Sequence, residues 1–488
     1  MYIRVPEEIV NLAKIFKKNN EKLYLVGGFV RNQIIGIPDS HNLDIDICSS
    51  ARPEKVFEML SSTSFAVKYL SEELGVVEIK NNLRVEHATF RKEKYSFSGA
   101  HIPNNVEFIK DIKEDAKRRD FRCNAIYYDI LEEEIVDPLG GVQDAEKKLI
   151  RTTLDPKIVF KDDAERILRM VRFACTLGFN IDSETYKQAK ENVYKLKYIS
   201  STRKREEFSE IVLADTKYRF LPDVKFAHAR GIAFLADLGA LEYILPALEA
   251  IRVSGIIEDR GKLLYEHVMN VFALSAPEVR LSALLHDAGK AKAFLEYRNF
   301  NGSEEYTPVI IEKNLGQEGL CYSKKIVERV KRVVLGLDFN KSGFEIAKNI
   351  KRFIVQNYED IELIIKLKNA IALDKSNNKH ISYSARILQK YYKRMKDSKT
   401  PMCLAELNIK GDNLIERYPN LKLNTIGTLL NELLYKCVDK PYKNNLQDLQ
   451  KLSDKIVTKN KSFNESDFLN VDSIKNAVSN TDQWLKIE

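Results

Sequence analysis

Residues 25–47 read LVGGFVRNQIIGIPDSHNLDIDI, and the fold is decided in this stretch. Leu23-Tyr24-Leu25-Val26 is a short apolar run with the length of a buried strand. Gly27-Gly28 makes a tight turn, where backbone N–H groups can approach a ligand with no Cβ in the way. Phe29 to Ile35 is expected to be a helix, and a helix N-terminus after a glycine turn favours phosphate. Arg31 in its first turn adds a guanidinium fork for phosphate oxygens. Leu43-Asp44-Ile45-Asp46-Ile47 then alternates with the period of a strand. Asp44 and Asp46 fall on one face, and Leu43, Ile45 and Ile47 on the other. Two neighbouring carboxylates repel unless a cation lies between them, and carboxylates with phosphate oxygens form the ligand set that Mg²⁺ prefers. A lone DxD is more often a solvated hairpin, but the glycine turn upstream shifts the balance towards a site.

GGFVRN followed by DID resembles the opening motif of the nucleotidyltransferase superfamily, in its class II tRNA nucleotidyltransferase and poly(A) polymerase branch. The family motif is GGxVRD before the DxD strand, and here Asn32 stands where the acid would be. The resemblance implies two Mg²⁺ held by Asp44 and Asp46, with Glu86 as the candidate third carboxylate from a neighbouring strand. Arg118-Arg119-Asp120-Phe121 with Asn124-Ala125 resembles the family's RRDF-x-x-NA, which implies contacts to ribose and triphosphate. Two arginines beside an acid suit phosphate, with the acid orienting one guanidinium. Residues 161–179 read KDDAERILRMVRFACTLGF, one helix by its apolar spacing. Asp163, Arg166, Arg169 and Arg172 recur three apart on it and resemble EDxxR-x-x-R-x-x-RF, with Asp162 in place of the Glu. In the family that Asp–Arg pair reads the incoming base, and unmatched buried donors and acceptors would penalise U and G. Arg205 and Glu207 resemble residues that brace this helix.

The expected fold class is α+β: a nucleotidyltransferase head with a small mixed sheet, then an extended all-α body with an HD-like helical domain. The expected domains are a catalytic head at 1–150, a helical neck at 151–215, an HD-like domain at 216–400 and a tRNA-binding tail at 401–488. Within the head, residues 75–80 and 83–90 form a hairpin about Asn81-Asn82, while Phe90 to Phe108 is a long polar loop. From Gln143 onward the pattern is helical, with one short junction at Arg151 to Pro156. His267, His286-Asp287 and Asp374 resemble the H…HD…D spacing of the HD phosphohydrolase superfamily, a candidate site for a second divalent metal. Residues 320–400 are rich in Lys and Arg with Tyr391-Tyr392 among them, which suits an RNA backbone or a solvated face equally. Beyond about 450 the chain turns polar and loosely ordered in character.

A chain of 488 residues, 44% hydrophobic and 30% charged with net charge +8, has room for two to four domains. Its mild basicity is compatible with a nucleic-acid partner. Six scattered cysteines form no CxxC pair, which excludes a zinc ribbon and fits a reducing, cytoplasmic compartment. No signal peptide and no membrane-spanning run is read. The function implied is CCA addition to tRNA from CTP and ATP, with no membrane and no protein partner. Poly(A) polymerase and CC- or A-adding siblings share every motif quoted. A metal phosphohydrolase acting on RNA ends or nucleotides through the HD residues is the rival from another class, and a non-catalytic RNA-binding module is a third.

Overall fold

The N-terminal helix α1 (Glu7–Lys18) has acids in its first turn and lysines in its last, matching the helix dipole, and buries Ile9, Leu12, Ala13 and Phe16. The structure, a computed structural model, describes residues 3–38, 44–95, 103–257, 261–341, 346–375 and 383–459. Strand β1 (Tyr24–Val26), helix α2 (Gly28–Ile34) and strand β2 (Asp46–Ser49) follow as the motif requires. Leu43 lies outside the described residues. Asp44 and Ile45 precede the strand yet keep the alternation, since Ile45 and Ile47 are buried while Asp44 and Asp46 face out.

Helix α3 (Pro53–Leu60) leads to β3 (Ala66–Ser71), and the expected hairpin is β4 (Val76–Lys80) with β5 (Arg84–Thr89). After β6 (Arg91–Lys94), β7 (Asn105–Phe108) and α4 (Ile112–Lys117) come β8 (Tyr127–Asp129) and β9 (Glu134–Val136). A seven-stranded sheet orders them β3-β4-β5-β2-β1-β8-β9. It is mixed, because β2 and β5 are parallel while its other neighbours are antiparallel. Val26, Cys48, Phe90, Ala116, Ala125 and Tyr127 pack as one apolar cluster of the head.

The structure corrects three sequence expectations. The loop from Phe90 to Phe108 is paired at its ends, Arg91 to Phe108 and Lys94 to Asn105; residues 96–102 lie outside the description. RKEK carries no apolar alternation, so the strand was invisible as a pattern. The region after Gln143 is not wholly helical: after α5 (Gly141–Glu146), β10 (Leu149–Ile150) pairs in parallel with β11 (Asn180–Ile181). The single helix over 161–179 is two, α6 (Pro156–Asp162) and α7 (Glu165–Leu177). Asp163 breaks it with extended backbone, and its Oδ1 accepts from the Glu165 N–H at 2.9 Å, which opens the second helix. Helices α8 (Ser183–Asn192), α9 (Ser201–Val212) and α10 (Ala214–Lys217) follow.

Two compact units divide the chain, Met1–Glu249 with Gln317–Cys321, and Ala250–Gly316 with Tyr322–Glu488. The described part of the second unit is helical apart from an isolated bridge between Ile257 and Leu263. One of its apolar clusters gathers Ile350, Ile361, Leu388, Met402 and Val438, and another Leu407, Leu414, Leu433 and Leu449. Several of its basic residues are already paired: Arg332 donates to Asp360 at 2.6 Å and Lys331 to Glu328 at 3.1 Å. Part of the stretch expected to be loosely ordered is a helix, Leu446–Lys459, and the remainder lies outside the described residues. Among the described residues no helix is long and apolar enough to cross a membrane.

Candidate active site

Antiparallel pairing of β1 with β2 sets Val26 opposite Asp46, so the chain turns at Gly27 directly beside that carboxylate. Gly27 has φ +76°, a left-handed conformation that L side chains rarely adopt. A Cβ built on it would lie 3.6 Å from Asp46 Oδ2, an ordinary contact, so conformation rather than space demands glycine. Gly27, Gly28, Asp44 and Asp46 line one cavity of about 500 Å³. Asp44 is exposed and meets Lys217 Nζ at 3.7 Å. The surrounding cavity walls raise the Asp46 carboxyl above its ordinary value although the residue is still open to solvent; Arg119 and Arg169 work against this, while Glu86 and Asp44 raise it further. Such a carboxylate gains from a nearby cation, and this is the property on which a divalent metal fits the site. Glu86 sits in register beside Asp46 on β5 but does not line the cavity. Asp44 and Asp46 with phosphate oxygens are therefore the better ligand set.

The expected nucleotide-binding residues line the same cavity. Arg31 is buried; its Nη2 and Nε donate to Asn32 Oδ1 at 2.8 and 3.2 Å, and its Nη1 donates to Asn124 Oδ1. Asn124 in turn donates to Asp120 at 3.2 Å, and Asp120 accepts two bonds from Arg169 at 2.7 and 2.9 Å. Burial would raise the Asp120 carboxyl, but Arg169, Asn124 and the Phe121 N–H hold it down at about 2. Arg118 and Arg119 are oriented by Asp115 rather than by Asp120: Arg118 Nε donates to it at 2.7 Å, and Arg119 reaches it at 3.4 Å. Asp163 and Arg166 both line the cavity, 3.7 Å apart, with Arg166 also donating to the Arg118 carbonyl at 2.7 Å. Arg172 pairs with Glu207 at 2.8 Å, whereas Arg205 turns away to the Cys321 carbonyl at 2.6 Å.

Several residues of the site have roles that the sequence reading did not give them. Phe173 carries three guanidinium groups on its ring, Arg172 at 4.3 Å, Arg31 at 5.2 Å and Arg169 at 5.4 Å. Asp115 had a usable signal, its i,i+3 and i,i+4 spacing to the two arginines. Glu93, Tyr95, Lys217 and Tyr218 had none, because their proximity comes from tertiary folding. In all, nine basic side chains face six acidic ones around the cavity, a balance suited to a triphosphate.

A second cluster lies in the other unit. His267, His286 and Asp287 bring ligand atoms within 4.8 Å of one another. The two Nε2 atoms are 3.2 Å apart, and Asp287 Oδ2 is 3.6 and 3.4 Å from them. His286 Nδ1 faces the Ala283 carbonyl at 2.8 Å and His267 Nδ1 faces Asp374 at 2.6 Å, so both Nδ1 atoms carry the proton. That leaves two lone pairs and a carboxylate pointing at one spot. Asp374, expected among the ligands, instead orients His267 and also pairs with Lys262.

Residues 23–151 match the poly A polymerase head domain. Two curated relatives named CCA-adding enzyme are similar over part of the chain. That of Geobacillus sp. (strain WCH70) is 33% identical over 238 residues, 49% of this chain and 54% of the relative. That of Lactobacillus helveticus (strain DPC 4571) is 38% identical over 186 residues, 38% and 44% of the two. The chain thus spans about half the length of the curated relatives it matches. The fold likeness reaches further: the CCA-adding enzyme of Bacillus stearothermophilus, solved with CTP, superposes with a TM-score of 0.63 over 93% of this chain and 98% of that one, at 20% identity. The architecture is therefore shared along most of both chains.

Proposed function

We propose that this protein adds C, C and A to tRNA 3′ ends from CTP and ATP, with no nucleic-acid template. The supporting observation is that the Gly27 corner, Asp44, Asp46 and the Asp163–Arg166 pair line one cavity. The two relatives named CCA-adding enzyme support the choice of reaction. Asp44 and Asp46 would hold two Mg²⁺ with the triphosphate oxygens, which would acidify the tRNA 3′-hydroxyl and neutralise the leaving pyrophosphate. Gly27, Gly28 and Arg31 cradle phosphates, and Arg118 and Arg119 bind triphosphate and sugar. The 3′-oxygen forms a bond to the α-phosphorus in line, the α–β P–O bond breaks, pyrophosphate departs and the hydroxyl proton passes to solvent. Asp163 accepts from the exocyclic amino group of C or A and Arg166 donates to ring acceptors. Asp120 and Glu207 keep Arg169 and Arg172 in place behind them.

In this scheme residues 1–150 perform catalysis, 151–215 select the base, and 216–400 and 401–488 hold the RNA. A cytoplasmic site of action suits six free cysteines. The test is incubation with tRNA ending before CCA, Mg²⁺ and each of CTP, ATP, UTP and GTP, followed by sequencing of the products. Addition of CCA and nothing longer is expected. A long A tail would assign a poly(A) polymerase, arrest after CC or addition of A alone a partial enzyme, and no extension would end the proposal.

The facing imidazoles of the second unit favour a second activity site. Two nitrogen lone pairs 3.2 Å apart repel unless a cation joins them. His267, His286 and Asp287 would thus hold a divalent transition metal, with phosphoester hydrolysis at RNA ends or nucleotides as the chemistry. Titration with Co²⁺, read by its visible absorption, should saturate at one equivalent in the wild type and fail in His286→Ala. Equal spectra in both would remove this site.

A further inference from the structure

Asn32 is a neutral amide between two groups that line the nucleotide cavity. Its Oδ1 accepts twice from the Arg31 guanidinium, at 2.8 and 3.2 Å, and its Nδ2 donates to the Tyr218 hydroxyl at 3.1 Å. The amide can sit only this way round, because the flipped form would turn an NH₂ group against the N–H donors of arginine. Asn32, Arg31 and Tyr218 are all buried, 3–4% exposed. Two consequences follow. Among the described residues no carboxylate lies within 4.0 Å of the Arg31 guanidinium, whose hydrogen-bond partners are the amides of Asn32 and Asn124, so its full charge remains for an anion. The Tyr218 oxygen is already accepting, so its own O–H is left to donate, and no acceptor for it lies within hydrogen-bond distance among the described residues. An aspartate at position 32 would reverse both: it would neutralise Arg31 and accept the Tyr218 proton. Neighbouring Lys217 reaches Asp44 at 3.7 Å, which puts Tyr218 near the acid end of the cavity, where a triphosphate would lie.

We infer that Tyr218 is a nucleotide-binding residue whose hydroxyl donates to the triphosphate, and that Asn32 is the positioning residue that frees both it and Arg31 for that purpose. The inference rests on reading this cavity as a nucleoside triphosphate site. Equilibrium binding of Mg-CTP and of inorganic triphosphate is measured calorimetrically for the full chain, Asn32→Asp, Tyr218→Phe and the double variant. Each single change should weaken both ligands by roughly tenfold, the loss of one charge-assisted hydrogen bond. The double variant should lose less than the product of the two, because the changes act on one hydroxyl. Asn32→Asp should melt no lower than the wild type, since the introduced carboxylate would pair with Arg31. Unchanged affinities, a multiplicative double variant, or a loss seen with CTP but not with triphosphate would overturn the inference. A lower melting temperature in Asn32→Asp would also overturn it, leaving Asn32 a packing residue only. Wild-type protein that shows this binding pattern but extends no tRNA would refute the proposed function alone.

Discussion

Asp120→Asn keeps the shape of a buried side chain and deletes its charge, so it isolates the bond between the head and helix α7. Asp120 accepts a two-pronged bond from Arg169 and single bonds from Asn124 and the Phe121 N–H. Burial disfavours its charged form, yet these partners lower the carboxyl from 3.8 to about 2. That displacement corresponds to roughly 2 kcal/mol of stability at neutral pH, at ~1.36 kcal/mol per pH unit. The sign follows from a depressed native value: the contribution is complete above the unfolded carboxyl near 4 and is lost as pH falls through 2. About half should remain at pH 3. Urea unfolding of wild type and variant between pH 7 and pH 3, followed by circular dichroism, measures this on the transition that CTP raises, since ligand binding marks the unit that holds the cavity. The variant should be less stable by ~2–3 kcal/mol at pH 7, with the gap roughly halved at pH 3. A gap that does not change with pH, or one below ~0.5 kcal/mol at pH 7, would refute the reasoning, since the charge of Asp120 would then contribute nothing beyond its shape.

Asp44→Ala should abolish nucleotide addition while tRNA binding, read by filter retention, stays within about twofold, because the carboxylate meets phosphate and metal rather than RNA; retained addition would remove it from the metal set. Asp163→Ala should relax the preference for C and A over U and G more than it lowers the rate of C addition, measured by single-turnover incorporation of each nucleotide. Unchanged selectivity would leave Asp163 as the opener of α7 alone. Gly27→Ala should destabilise the head by ~1–2 kcal/mol through its positive φ, with the loss appearing in thermal melts rather than as a clash, since the new Cβ meets Asp46 at 3.6 Å.

What was legible in the sequence was local. The Gly27 turn follows from a backbone angle that only glycine takes easily, and the facing of Asp44 and Asp46 follows from a period of two. Both survive in the fold because neighbouring strands only reinforce them. The α6–α7 break was hidden because Lys161 to Phe179 carries an apolar stripe that reads straight through Asp163, while the break depends on one side chain capping one N–H. The partner of Arg118 and Arg119 was misread because Asp120 is adjacent in sequence whereas Asp115 is adjacent on the helix turn. Phe173 read as part of a motif, yet its three stacked guanidinium groups come from two separate helices. Tyr218 was beyond reach of any local rule, since 186 residues separate it from Asn32. In the second unit the HD dipeptide was legible, but the place of Asp374 behind His267 rather than beside His286 and Asp287 was not.

Pyrophosphate release per tRNA tests most directly whether the acid pair at the glycine corner performs bounded nucleotidyl transfer. With tRNA ending before CCA, Mg²⁺ and both CTP and ATP, the protein should release two pyrophosphates that depend on CTP and one that depends on ATP, and then stop. No release, or release that continues with ATP alone in proportion to time, would contradict the account.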